Sequence, residues 1–270
     1  RKIIKKLDER DILTDDLRER LEQAQDMREL IDYYVPFRPR KRSRSRQALA
    51  LGLNDLAARI FTQEEFVADL GEAASEFVDP DVAGLESPEA VLEGVFAIIV
   101  DWIAEEKSHR DRQRKVFSEQ AKVVAHKAGK SVPGRYVRDF RQYFDYSENV
   151  ADLHPYHMLK ILRGKRLRVL HYRVEPPIDA MGEAAAELYL PGGASQYHQI
   201  LPILTPGALE GNGEDLMKLN SSEFMGTCLK HSLENILAGI TARELDKELC
   251  RNAEQLALEI IRRNVRDLLM

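Results

Sequence analysis

Apolar residues recur at helical intervals along most of this chain. The strongest run is Val91, Leu92, Val95, Ile98, Ile99, Trp102 and Ile103, at i, i+3, i+4, i+7 spacing. Ser87 precedes it as an N-cap, and Pro88 fits the first helical position, where a backbone donor is not needed. Its apolar face is wide enough to be sandwiched between other helices. Residues 2–34 read as two helices, the first carrying Ile3, Ile4 and Leu7, with Thr14 as an N-cap ahead of Leu17, Leu21 and Ala24. Asp26 with Glu29 resembles a capping box, and Pro36 stops the helical pattern beyond it. Residues 48–61 form a short helical piece. Thr62-Gln63-Glu64-Glu65 then reads as a capping box that opens a helix with Phe66, Leu70 and Phe77 on one face.

Further along, residues 107–127 predict a polar, basic helix with a thin stripe from Val116, Phe117, Val123 and Val124. His154-Pro155 starts a short helix that Gly164 closes as the residue beyond its cap. Leu170, Tyr172 and Val174 alternate with polar residues, so a strand is expected there, stopped by Pro176-Pro177. Glycines and prolines accumulate over 178–220, which reads as a loop-rich connector. Ser221 or Ser222 caps a helix that ends at Gly239, and Thr241-Ala242-Arg243-Glu244 opens another that runs toward Met270. At about 1.5 Å per residue the last helix spans on the order of 40 Å. The expected fold is mainly α, a multi-helical bundle or array with a minor β element near 167–174 and a long C-terminal helix. Its expected parts are residues 1–177, the connector 178–220 and a helical segment 221–270.

Charge changes this picture more than bulk composition does. The net charge is −5 over 270 residues, so no whole-molecule field draws the chain to polyanions. The charges are blocked, however. Residues 62–106 hold thirteen carboxylates and no Lys or Arg, whereas residues 107–141 hold eleven cations and three acids. Residues 38–46 carry six cations and no acid: Arg38, Arg40, Lys41, Arg42, Arg44 and Arg46. Pro36 and Pro39 hold this strap extended. Six like charges lie in water, on acidic protein surface or on phosphates. The strap is therefore either a belt paired with the acidic 62–106 block or a phosphate-contacting patch. Full engagement with duplex DNA gives a log–log salt slope of about −5.

Two cysteines, Cys228 and Cys250, lie in helical patterns and suggest no disulfide scaffold, so a reducing cytoplasm is the default. No apolar run reaches membrane-spanning length, and no membrane partner is expected. The first residue is Arg1, which suggests a piece of something longer.

Four segments carry a family resemblance. Tyr34-Val35-Pro36-Phe37-Arg38-Pro39-Arg40-Lys41-Arg42-Ser43-Arg44 resembles the "YxPFxPKRRTRA" segment of the Tex family of bacterial transcription accessory proteins. Arg138-Asp139-Phe140-Arg141-Gln142-Tyr143-Phe144-Asp145-Tyr146-Ser147-Glu148 resembles its "KFxDYFDYSE" motif. Leu162-Arg163-Gly164 matches the family's Arg-Gly turn, although Tyr156-His157-Met158 and Lys165 depart from the usual pattern around it. Arg263-Asn264-Val265-Arg266-Asp267-Leu268-Leu269 resembles the "NLRDLLL" that leads directly into the family's next domain. The resemblance implies a helical N-terminal region that precedes RNase H-like, helix-hairpin-helix and S1 domains. It implies nucleic-acid partners (RNA or DNA) bound mainly through those other domains, contact with the transcription machinery, and no enzymatic activity of the helical region.

The residues themselves offer little chemistry. Cys228 and His231 stand one turn apart, but two ligands do not close a zinc site and Cys228 lies on an apolar face, so a core cysteine is the better account. His154, His157 and His171 cluster in sequence without a carboxylate placed to orient them. No phosphate-cradling glycine loop or hydrolase motif is present. No enzyme, cofactor or metal is expected. Phe140, Tyr143, Phe144 and Tyr146 read first as a packed elbow between elements, and alternatively as stacking groups for bases. Arg138, Arg141, Tyr143, Arg163, Lys165 and Arg166 form a secondary basic and aromatic candidate surface beside the strap.

Overall fold

The computed structural model describes residues 2–24, 27–37, 43–129 and 134–269. The protein is mainly α. In chain order the helices are α1 (Lys2–Asp8), α2 (Asp15–Gln23), α3 (Met27–Tyr34), α4 (Arg44–Ala50), α5 (Asn54–Thr62), α6 (Leu70–Ser75), α7 (Pro88–Glu105) and α8 (Lys107–Gln120). Strand β1 (Lys122–Lys127) comes next, then α9 (Gly134–Phe140), β2 (Asp145–Asn149), α10 (Pro155–Arg166) and β3 (Leu170–Glu175). The chain continues through α11 (Ile178–Tyr189), α12 (Gly193–Ile200), α13 (Pro206–Leu209), α14 (Gly213–Leu216), α15 (Ser221–Ser232) and α16 (Ala238–Leu269).

The chain divides into two compact units. The first holds residues 1–111 and 185–232; the second holds 112–184 and 233–270. In the first unit α7 is the central helix. Ser87 caps it, accepting the Ala90 N–H, and Val91, Leu92, Val95, Ile98, Ile99 and Ile103 are buried along it. Helices α4, α5, α6, α14 and α15 pack around it. A Cβ at Gly94 would stand 2.8 Å from Leu53, so α7 is bare where the turn after α4 crosses it. Leu7, Leu17 and Leu21 form a smaller core under α1 to α3.

The second unit is built on a three-stranded antiparallel sheet in the order β2–β1–β3. Val123 and Ala125 of β1 lie opposite Val174 and Tyr172 of β3, and opposite Glu148 and Tyr146 of β2. That face packs on Phe140, Tyr143, Met158, Ile161 and the first turns of α16.

Several expectations need correction. Residues 107–127 are not one helix: the chain breaks at Ala121 and enters β1. Valines 123 and 124 fit either period, and the central place in a sheet, buried on both faces, decides for the strand. β2 was likewise hidden inside an aromatic motif. The 178–220 stretch holds four helices, α11 to α14: Gly182 is accommodated inside α11, and most of the other glycines and prolines sit at helix ends, Thr205-Pro206 and Asn212-Gly213 being N-terminal caps. Residues 2–34 hold three helices, and the 48–61 piece is two, broken where Gly52 takes φ +83°. Thr62-Gln63-Glu64-Glu65 ends α5 instead of opening a helix; Gln63 is left-handed and Asp69 caps α6. Asp26 lies outside the described residues.

The cap of α15 is Asn220, whose Oδ1 accepts the Ser222 and Glu223 N–H groups while Glu223 accepts the Asn220 N–H. Ser221 turns away to accept the Val67 N–H at 3.1 Å. Gly239 stops nothing. A single π turn, Leu233–Leu237, joins α15 to α16, and Glu244 is occupied by a two-point ion pair with Arg114 at 2.8 and 3.3 Å. The long terminal helix is present, at 32 residues.

Candidate functional site

Arg38, Arg40, Lys41 and Arg42 lie outside the described residues. The described end of the strap is fastened to protein. Ser43 caps α4, its Oγ accepting the Arg46 N–H. The Arg44 guanidinium pairs with Glu93 of α7. Ser45 is buried, and its hydroxyl donates to Asp101 at 2.5 Å. Both carboxylates belong to the acidic 62–106 block, so charge from one block meets charge from the other at the α4–α7 contact. Arg44 and Arg46 remain exposed to water on their outer sides.

The secondary surface separates into three kinds of residue. Tyr143 is fully buried, and its hydroxyl meets His157 Nδ1 at 3.0 Å. Burial pushes its phenol pKa up. Tyr143 is therefore withdrawn from any stacking role: Phe140 is buried beside it and Phe144 and Tyr146 pack against the same core, making the aromatic elbow. Arg138 and Arg141 are exposed, on α9 and the turn after it. Arg163, Lys165 and Arg166 are exposed at the end of α10. Lys165 lies over the Tyr172 ring at 4.5 Å. Tyr172 donates to Asp246 at 2.8 Å, and burial raises its pKa strongly.

Arg163 and Arg166 instead share a wall of an open groove of about 660 Å³ between α10 and α16. Tyr156, Leu159 and Leu162 of α10 and Ala257 and Leu258 of α16 supply its apolar surface. Lys160, Arg163 and Arg166 bring three cations to the lining against one carboxylate, Glu254. Arg138 and Arg141 do not take part. Sequence reading missed this groove. The available signal was Lys160 and Arg163 at i, i+3 on α10, together with Leu258 and Ile261 off the core-facing stripe of α16.

The turn that closes α10 is also not the one expected. Gly164 lies inside the helix. Arg168 takes the left-handed position with φ 57°, Val169 N–H bonds the Gly164 carbonyl at 2.8 Å, and Arg168 N–H bonds Lys165 at 3.0 Å. This is a Schellman ending with an arginine where glycine is usual.

Cys228 is a core thiol, its pKa pushed well up by burial. His231 meets the Leu209 carbonyl at 2.6 Å. His154 caps α10, His157 serves Tyr143, and His171 is exposed on β3. Among the described residues no group of three or more His, Cys, Asp or Glu is placed to hold a metal, and no helix is long and apolar enough to cross a membrane.

Residues 67–198 match the family model described as Tex central region-like. The chain is 24% identical over 278 residues to protein tex of Bordetella pertussis, covering 99% of this chain and 32% of that protein. It is 28% identical over 170 residues to transcriptional accessory protein Tex of Neisseria gonorrhoeae, covering 63% of this chain and 21% of that protein. It is 23% identical over 234 residues to the human S1 RNA-binding domain-containing protein 1, covering 85% of this chain and 21% of that protein. The chain thus spans about a third or less of the length of these relatives.

Proposed function

We propose that this chain, whose residues 67–198 belong to the Tex central region-like family, is a non-catalytic helical scaffold of a Tex-like transcription accessory protein. The described end of its basic strap, at Arg44, works on the protein itself. The observation that carries this reading is the fastening of α4 to α7 through Arg44–Glu93 and Ser45–Asp101. Cations held on carboxylates of the same fold have less to offer to phosphates, because each phosphate contact must first break an ion pair.

A second reading keeps part of the molecule for nucleic acid. Arg163 and Arg166 are exposed, and a relative of this chain carries RNA binding in its name. Its footprint is an electrostatic one, sensitive to salt.

One pair of measurements separates the readings. Arg44→Glu puts two carboxylates face to face at Glu93. The scaffold reading expects a lower melting temperature and no change in the retention of a fluorescein-labelled single-stranded RNA at low salt. Loss of RNA retention by Arg44→Glu with an unchanged melting temperature overturns it in favour of a polyanion grip.

A further inference from the structure

The α10–α16 groove has the makings of a docking site that the scaffold reading leaves unfilled. Both walls are helices, and the apolar surface between them is aliphatic apart from one ring. On α16 it does not stop at the groove. Leu258, Ile261 and Val265 recur at i, i+3, i+7, and they are 53%, 56% and 49% exposed. From Glu254 to Asp267 no side chain of α16 is buried. Of ten large apolar residues exposed among the described residues, four lie on this stretch of α16, and Tyr156 of α10 lines the groove together with one of them, Leu258. Exposed apolar surface concentrated in one place, rimmed by charge, marks an interaction site rather than ordinary surface.

The charge says what kind. Lys160, Arg163 and Arg166 step along α10 at intervals of three, so their heads repeat every ~4.5 Å along the groove. Arg262 adds a cation beside Leu258 on the α16 stripe. A helix with carboxylates at i, i+3 or i+4, and i+7 on one flank and an apolar stripe beside them meets this spacing. Single-stranded nucleic acid fits less well. Tyr156 is the one aromatic among the lining residues, and Lys160 already sits over its ring at 5.3 Å. An aliphatic floor gives bases nothing to stack on.

We propose that the α10–α16 groove receives an acidic amphipathic helix of a partner protein, with Leu258 as the central apolar contact and Arg163 and Arg166 as the charge clamp. The inference rests on the scaffold reading and names the class of partner that the scaffold holds. The α10 wall from Tyr156 to Arg166 is ~15 Å long, and on α16 the exposed apolar stripe carries on past the groove from Leu258 to Val265, so about three turns of partner helix can be engaged.

The test uses the full chain and three labelled probes: a helical peptide of about 18 residues with a Leu stripe and Glu flanks, the same peptide with Lys in place of Glu, and a single-stranded RNA of similar mass. Fluorescence anisotropy is expected to show binding of the Glu peptide and not of the Lys peptide. Leu258→Glu, at an exposed position, is expected to weaken the Glu peptide by about tenfold or more, and Arg163→Glu with Arg166→Glu to shift preference to the Lys peptide. Circular dichroism melts confirm that both variants fold. Equal binding of the two peptides, no binding of either, or indifference to Leu258→Glu overturns the proposal and leaves the scaffold reading standing. RNA binding that Arg163→Glu with Arg166→Glu removes and Leu258→Glu leaves intact overturns the proposal and the scaffold reading together. Concentration-dependent self-association that Leu258→Glu abolishes, without peptide binding, assigns the groove to a second copy and overturns the partner.

Discussion

Gly164 and Leu170 meet so closely that a Cβ on the glycine would stand 2.5 Å from Leu170 Cδ1 and 3.2 Å from its Cβ. Helix α10 therefore lies on β3 at backbone distance, and the glycine of the Arg-Gly turn is a packing glycine. The left-handed position falls four residues later, on Arg168.

Two substitutions separate these roles. Gly164→Ala pushes α10 off β3 and is expected to destabilise by roughly 1–3 kcal/mol, since Leu170 cannot swing its own Cβ away. Arg168→Gly relieves a side chain from the left-handed region and is expected to stabilise by up to about 1 kcal/mol. Urea denaturation of the second unit's transition measures both. Equal and opposite placement of the effects would mean that the turn was misassigned.

Asp32 of α3 and Arg110 of α8 form an ion pair at 3.1 Å with side chains 0% and 6% exposed. Arg110→Met takes the cation away from a buried carboxylate and is expected to cost about 3–5 kcal/mol. Replacing both, Asp32→Leu with Arg110→Met, is expected to recover most of that loss. A double-mutant cycle on denaturant midpoints reads the coupling.

Four phenols, Tyr143, Tyr146, Tyr172 and Tyr189, have pKa values raised first of all by burial. The folded state then holds protons that the unfolded chain releases near pH 10, so stability is full below that pH and falls as pH rises above it. Alkaline titration by ultraviolet absorbance is expected to show these four of the nine tyrosines ionising only together with loss of the helical signal. Early ionisation of all nine in the folded chain contradicts their burial.

Ser45 is buried against Asp101, whereas the Arg44 side chain is 62% exposed beside Glu93. Ser45→Ala is expected to cost about 1–3 kcal/mol by leaving a carboxylate short of a donor, and Arg44→Ala only ~0–1 kcal/mol because water screens the pair. Thermal melts of the two variants give the order directly.

Much of the helical frame was legible in the residues. Ser87-Pro88 and the run from Val91 to Ile103 announced α7, because cap chemistry and a 3.6-residue period are both local. Thr14 capped α2 as expected. The motif aromatics packed as an elbow, and Cys228 lay in the core. Other signals were ambiguous for a physical reason. Gly239 inside α16 and Gly164 inside α10 look like stop signals, but a Cβ at Gly164 would run into Leu170, whereas a Cβ at Gly239 would meet nothing within 4 Å, so only the first is a packing glycine and only the neighbours tell. Glu244 reads as a capping residue until Arg114 is seen to hold it.

What the sequence determined alone is the helical class, the long last helix, the caps of α2 and α7 and the blocks of charge, since each depends on residues a few positions apart. What the tertiary structure decided is where those charges and apolar residues end up. Val123 became a central strand through β2 and β3, each more than twenty residues away. Arg44 found Glu93, forty-nine positions on. Arg163 and Leu258 came to face one groove because α10 and α16 pack side by side. Burial and pairing are sums over neighbours distant in the chain, and no local period encodes them.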